Sequence, residues 1–424
     1  MRSTVKYMPV LAGALVLAGW AGTAEAQVPM NAGGSSAGRN FMSDIPLNLC
    51  DASPLPNRFA TADGNKITWT CNRGGSPVII RYSATGSSDG VNKLLQPPSN
   101  AASNMLYLDH TLTAGCTGPV LVTRPSDGKQ YNSTTGCNNG NTISLPVHMG
   151  ASDVQGSSFG QTGPLGTSVL PLNDSGLNSQ AGAIVPFTIY AGKGVVKLNA
   201  AGTGPGGQID GLSRLQIEQI FARSVTDWKR LGFGTVTDAS PGTLEATSPI
   251  TLCLRNAGSG TKAAFDQTLM LNATETSIAS PTVIFSPSTS GVLACLAANR
   301  RSIGYMDSDS VVSFNPGGAN AGLAYTVPVD GGLAHDPSLT DRKRDLKCGK
   351  YAYWTALRLN QRTTPIGGGT DTLMAAFIAN VQTAAAIAQL PTGEYWASAE
   401  EMVVTKNSDK GPLIWKAGSF PQCR

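Results

Sequence analysis

Charge is scarce in this chain. Only 14% of its 424 residues are Asp, Glu, Lys or Arg, the formal net charge is +4, and no long basic block occurs. Nucleic acid is therefore excluded as the main partner, since binding its backbone needs clustered cations. Histidine is scarcer still, with only His110, His148 and His335, far apart in sequence. A His-based metal centre or triad is unsupported, HExxH and CxxC are absent, and no nucleophile beside a base is legible. An enzyme is not expected, and no cofactor is implied. Beyond residue 26 no apolar run reaches the roughly 18 residues of a membrane helix, so the mature chain is expected to lack a transmembrane segment.

What is abundant tells a different story. Gly 49 and Pro 26 indicate a loop-rich protein, while 41% hydrophobic content suffices for packed cores. The length suits roughly two or three domains. Arg2 and Lys6, the apolar "MPVLAGALVLAGWAG" and Ala24-Glu25-Ala26 form a secretory signal peptide over 1–26. No cysteine follows the cleavage point, so a lipoprotein anchor is not expected; the mature protein belongs in the periplasm or outside the cell. Eight cysteines in an exported chain point to disulfides. Sequential pairing (Cys50–Cys71, Cys116–Cys137, Cys253–Cys295, Cys348–Cys423) is favoured because each bridge would staple one local segment.

Residues 27–47 are small, polar and aperiodic, and predict a flexible leader. "ITWTCN" (67–72), "PVIIRYSA" (77–84), "LPVHMGASD" (145–153) and "AGAIVPFTIYAG" (181–192) read as strands. Residues 97–146, rich in Ser, Asn, Gly and Thr, read as an insertion. A helix is predicted over 211–232, opened by a Ser213/Gln216 capping box and carrying Leu212, Ile217, Ile220 and Phe221 on one face. A second long helix is predicted over 371–390, and "YAYWTALRLN" reads as a strand before it. Strands alternating with helices imply an α/β sheet with crossover connections.

Three turns share one design. "CLRNAGSGTKAAF" (253–265) ends a strand on Arg255 and starts a helix after Gly258-Ser259-Gly260-Thr261. Backbone N–H groups at a helix start, glycines that permit close approach, hydroxyl donors and a planar cation together suit a tetrahedral oxyanion. The alternative is a Ser259 helix cap with a surface ion pair at Arg255. Walker A is excluded because the G-K-[ST] order is missing. "ATGSSDG" (84–90) repeats the design with Ser87 and Ser88. "GASD" (150–153) adds Asp153, which is either a helix cap or an acceptor for a proton carried by the anion. Hydrogen phosphate can donate such a proton and sulfate cannot.

In this order the turns resemble those of periplasmic phosphate-binding proteins of phosphate ABC transporters (PstS-like, including the DING group), whose G-S-S-G-G, G-A-S-D and R-x-D-G-S-G-T turns follow the same sequence. "LSRLQIEQIFARSVTDW" and "RSIGY" (301–305) extend the resemblance, which spans about 48–415. It implies an α/β, two-lobed type II periplasmic-binding-protein architecture with a ligand cleft between the lobes. Lobe one would comprise 48–185 and 312–424, and lobe two 186–311. It further implies inorganic phosphate held by Ser53, Ser87, Asp153, Arg255, Ser259, Gly260 and Thr261, and delivery to an inner-membrane ABC permease. The alternative is a secreted relative with an adhesion, assembly or other extracellular role.

Three departures accompany the resemblance. The aspartate that orients the arginine in the family is Ala257, with Asn256 as a partial substitute. Pro54, in the "DASPLP" counterpart of the family's first anion contact, has no N–H to donate. Finally, 66 positions separate Ser87 from Asp153, the surplus being the Cys116–Cys137 region, which covers the cleft, binds a partner or decorates the surface.

Overall fold

The computed structural model describes residues 27–164, 167–271, 273–418 and 423; the signal-peptide expectation for 1–26 lies outside these. The chain opens with β1 (Val28–Gly34), α1 (Arg39–Asp44) and α2 (Pro46–Leu49). A meander of β2 (Asn57–Thr61), β3 (Lys66–Arg73) and β4 (Ser76–Ser83) leads into α3 (Ser87–Leu95). The Ser/Asn-rich segment forms β5 (Asn104–Leu108), β6 (Thr117–Thr123), β7 (Gln130–Cys137) and β8 (Thr142–Pro146) before β9 (Met149–Ser152). Short β10 (Gln161–Thr162) and β11 (Ser168–Val169) precede β12 (Leu177–Gly192).

The middle of the chain supplies β13 (Val195–Lys197), α4 (Arg214–Phe221), β14 (Phe233–Thr235), β15 (Thr251–Arg255) and α5 (Gly260–Thr268). It continues with β16 (Val283–Ser286), α6 (Thr289–Ala298), β17 (Ser302–Asp307) and β18 (Ala324–Val327). The last part holds α7 (Arg344–Lys347), β19 (Trp354–Arg362), α8 (Thr370–Gln382), α9 (Ala384–Ala388), β20 (Val404–Thr405) and β21 (Ile414–Trp415).

Thirteen strands join in the order β16-β15-β17-β12-β19-β9-β1-β4-β3-β2-β7-β6, with β18 also on β12. β1 lies parallel between β4 and β9, and β15 parallel between β16 and β17. Such pairings need crossover helices, which the alternating pattern foretold. β12 joins the two halves: Leu177–Pro186 pairs with β19, while Phe187–Gly192 pairs with β17 and β18. The result is the mixed α/β, two-lobed architecture expected.

Residues 27–47 are not a flexible leader. Val28–Gly34 is an inner strand whose last five residues are all buried. A strand covered on both faces shows no polar–apolar alternation, which is why its sequence looks aperiodic. The 211–232 helix is also shorter than expected. Its capping box forms, but α4 ends at Phe221. Arg223 turns left-handed at φ 63 and donates from Nη1 to the Ile250 carbonyl at 3.0 Å, tying the chain to the residue before β15. The late helix divides into α8 and α9 at Thr383, which is extended at φ −92, ψ 134.

All four disulfides pair as expected. The insertion's β6–β7 hairpin extends the far edge of the sheet beyond β2, so this hairpin does not cover the turns that follow β1 and β9.

Phe265 anchors α5. Its ring stacks on Tyr305 with centroids 4.2 Å apart and meets Phe221 at 4.6 Å and Tyr353 at 5.9 Å. A Phe265→Ala change should cost about 3–5 kcal/mol through the lost ring and the cavity left behind. Denaturant melts check this, and a loss under about 1 kcal/mol would contradict the packing argument.

Candidate functional site

Four turns at the carboxyl ends of strands meet at one place. Because β4, β1 and β9 are parallel neighbours, the turns that follow them leave the same edge of the sheet. Gly86 N–H donates to the Gly34 carbonyl at 2.7 Å, and Ser35 N–H to that of Ala151 at 2.8 Å. The turn after β15 arrives from the other half. Ser88 N–H donates to the Gly258 carbonyl at 3.2 Å, and Gly258 N–H to Gln161 Oε1 at 2.8 Å.

Glycine is required twice in this contact. Gly258 sits at φ +87, and a Cβ there would lie 2.5 Å from Ser88 Oγ. A Cβ on Gly260 would run into Ser87 Oγ and lie 2.7 Å from Asp153 Oδ2. Bare backbone at Gly260 lets the start of α5 approach Asp153.

Six of the expected residues therefore converge: Ser87, Asp153, Arg255, Ser259, Gly260 and Thr261 are all buried. Ser53 does not join them. It is exposed, just past Asp51, whose carboxylate accepts from Gly74 and Gly75 at the start of β4. The site lies past the opposite end of that eight-residue strand, about 23 Å away at the usual rise per residue. The place intended for Ser53 is taken by Ser35 and Ser36, after β1. Their signal, Gly33-Gly34-Ser35-Ser36, follows the same glycine–hydroxyl design as the other turns. Gly34-Ser35-Ser36-Ala37-Gly38 also spells G-x-S-x-G, the nucleophile-elbow pattern. Ser36 Oγ, however, accepts from Arg255 Nη2 at 2.9 Å, and among the described residues no histidine bonds to it.

The hydrogen bonds leave a surface of donors. Ser87 Oγ accepts from Asp153 N–H at 3.2 Å, and Ser259 Oγ, capping α5, accepts from Lys262 N–H at 3.2 Å. Thr261 Oγ1 and Ser36 Oγ accept from Arg255. The Ser36, Ser259 and Thr261 hydroxyls thus keep their own protons to give to an anion. The helix-cap alternative for Ser259 is thus realised, and it is compatible with a ligand contact. Asp153 is the acid among these donors. Its Oδ1 accepts from Ser35 Oγ and its Oδ2 faces Gly260. Burial pushes its carboxyl up to about 6, against the pull of the Ser35 hydroxyl and Arg255.

Arg255 is 1% exposed. Its Nη1 donates to Thr289 Oγ1 at 3.2 Å and Thr261 Oγ1 at 3.4 Å, and its Nη2 to the Pro287 carbonyl at 3.2 Å as well as to Ser36. Asn256 does not replace the aspartate missing at Ala257, because among the described residues its Oδ1 makes no hydrogen bond.

Comparison with known proteins bears on the fold. Residues 183–338 match the family model described as a PBP superfamily domain. A protein of Clostridium perfringens, assigned as a phosphate ABC transporter substrate-binding protein and solved with bound phosphate, is 14% identical. The match covers 88% of this chain and 99% of that one, with a TM-score of 0.50. An ABC-type phosphate transport receptor of Vibrio cholerae is 14% identical over 82% of this chain and 93% of its own, at a TM-score of 0.40. PstS of Borrelia burgdorferi is 11% identical over 88% and 99%, at 0.39. At 14% identity the likeness to the Clostridium perfringens protein is one of fold. No curated protein matches the chain.

Proposed function

We propose that this chain captures hydrogen phosphate between its lobes and releases it unchanged. The observation that carries this is the meeting of four donor-bearing turns around one buried carboxylate, Asp153, with Arg255 as the fixed cation. Hydroxyls, α5 N–H groups and the guanidinium hold the charged oxygens, while ionised Asp153 accepts the ligand's proton. The Clostridium perfringens protein of like fold was solved with phosphate bound, which supports the same ligand class here. Lobe one, expected to resume at 312, is taken as 27–185 and 328–418, and lobe two as 186–327, because β18 pairs with the same half of β12 as β17, with closure about β12 shielding the anion from water.

An exported receptor of this kind would serve an inner-membrane ABC permease. Among the described residues no helix is long and apolar enough to cross a membrane. Among the described residues the partner of Ser36 Oγ is Arg255 and not a base, so catalysis is not part of the proposal. Isothermal titration of the mature protein at pH 8 is expected to show saturable, one-to-one phosphate binding and no sulfate heat. An absence of phosphate heat removes the proposal.

One observation favours a second reading. Edge strand β6 leaves Val120 and Leu121 more than half exposed, far from the cleft. Such an edge suits an extracellular adhesion or assembly role. Cell fractionation separates the two: recovery in the periplasm supports uptake, recovery in the medium the alternative.

A further inference from the structure

Arg255 is a buried cation without a direct ionic partner. The groups its Nη atoms touch are all neutral: the Ser36, Thr261 and Thr289 hydroxyls and the Pro287 carbonyl. Its Nε makes no hydrogen bond among the described residues. A guanidinium in such a place needs a compensating negative charge nearby. Asp153 is a poor sole candidate, because one of its oxygens is engaged by Ser35 and the other faces the ligand side at Gly260.

A second carboxylate stands behind Thr289. The parallel register that sets Cys253 against Gly304 brings Arg255 and Asp307 to the same end of the sheet. Thr289 Oγ1 accepts from Arg255 Nη1 at 3.2 Å and donates to Asp307 Oδ1 at 3.4 Å. Ser310 Oγ donates to Asp307 Oδ2 at 2.6 Å, and Asp307 is 1% exposed. Asp309 lies beside it, equally buried, with Trp396 Nε1 donating to its Oδ2 at 3.3 Å. Burial, and then the neighbouring Asp307 carboxylate, raise Asp309 well above the ordinary carboxyl range. Asp309 thus favours its neutral form, and among the described residues it is Asp307 that the Thr289 hydroxyl links to Arg255.

We infer that Asp307 is the counter-charge of Arg255, acting through the Thr289 hydroxyl to hold the guanidinium in the orientation that an oxyanion meets. Asp307 is thus a positioning residue. Its effect on phosphate rests on the function proposed above, but its coupling to Arg255 does not.

The test is a cycle of thermal melts on the ligand-free protein: wild type, Asp307→Asn, Arg255→Met and the double variant. Asp307→Asn should lower Tm in the wild-type background. In the Arg255→Met background it should raise Tm, since it then removes a buried carboxylate that has lost its cation. A role in packing alone would lower Tm equally in both, and that result overturns the inference. Phosphate titrations give a second readout. Asp307→Asn and Thr289→Val should each weaken binding about tenfold, and Thr289→Ser should restore it. Should Asp307→Asn fail to fold, unchanged phosphate affinity in Thr289→Val would overturn the inference instead. If the wild type binds no phosphate yet the sign of the Tm change reverses, the phosphate proposal falls and the counter-charge stands.

Discussion

Replacing Arg255 by methionine is expected to abolish measurable phosphate binding. The side chain is buried and its fork is spread over Ser36, Thr261 and Thr289, so it meets a ligand with little entropy left to lose. Removing one partner of a buried, hydrogen-bonded charge pair costs 2–5 kcal/mol or more, roughly thirty-fold to several thousand-fold in Kd. Lysine at this position should recover part of the loss, because it restores the charge without the fork. A methionine variant that binds phosphate within about threefold of wild type would remove Arg255 from the site.

The second large effect concerns selectivity. Asp153→Asn replaces an acceptor by a group that also donates. Phosphate affinity should fall by at least about a hundredfold, and sulfate, which has no proton to offer, should bind measurably for the first time. The wild-type pH profile follows from the same group. With its carboxyl pushed up to about 6, Asp153 is ionised at pH 8 and accepts the ligand's proton. As pH falls through about 6 it becomes protonated, so phosphate binding should weaken and sulfate binding should strengthen.

The ligand-free fold responds in a linked way. A carboxyl raised from 3.8 to about 6 contributes stability below pH 3.8 that is lost as pH rises through about 6. Bound hydrogen phosphate offsets that loss by sharing its proton. Sulfate titrations from pH 5 to 8 check the profile. Sulfate affinity that does not rise towards pH 5 would count against the acceptor role.

The three turns could be read in the sequence because their signals are local: apolar β-type runs that end in glycine–hydroxyl clusters. The capping box at Ser213 and the four disulfides were legible for the same reason. β1 was not, because Met30-Asn31-Ala32-Gly33-Gly34 is buried on both faces and carries no alternation. Ser35 and Ser36 were lost along with it. Ser53 stood in their place because sequence spacing does not reveal that its turn lies at the opposite end of β4 from the site. Asp307 illustrates a deeper limit. Its relation to Arg255 runs through Thr289 and through the parallel register of β15 and β17, and neither exists until the sheet forms.

A crystal structure of the mature protein grown with phosphate is the most direct test of the central claim. The account predicts one tetrahedral anion in contact with Ser36, Ser87, Arg255 and the amides of Gly260 and Thr261, with an Asp153 oxygen at hydrogen-bond distance from one of its oxygens. Phosphate bound away from these four turns, or an anion that avoids Asp153, would contradict it.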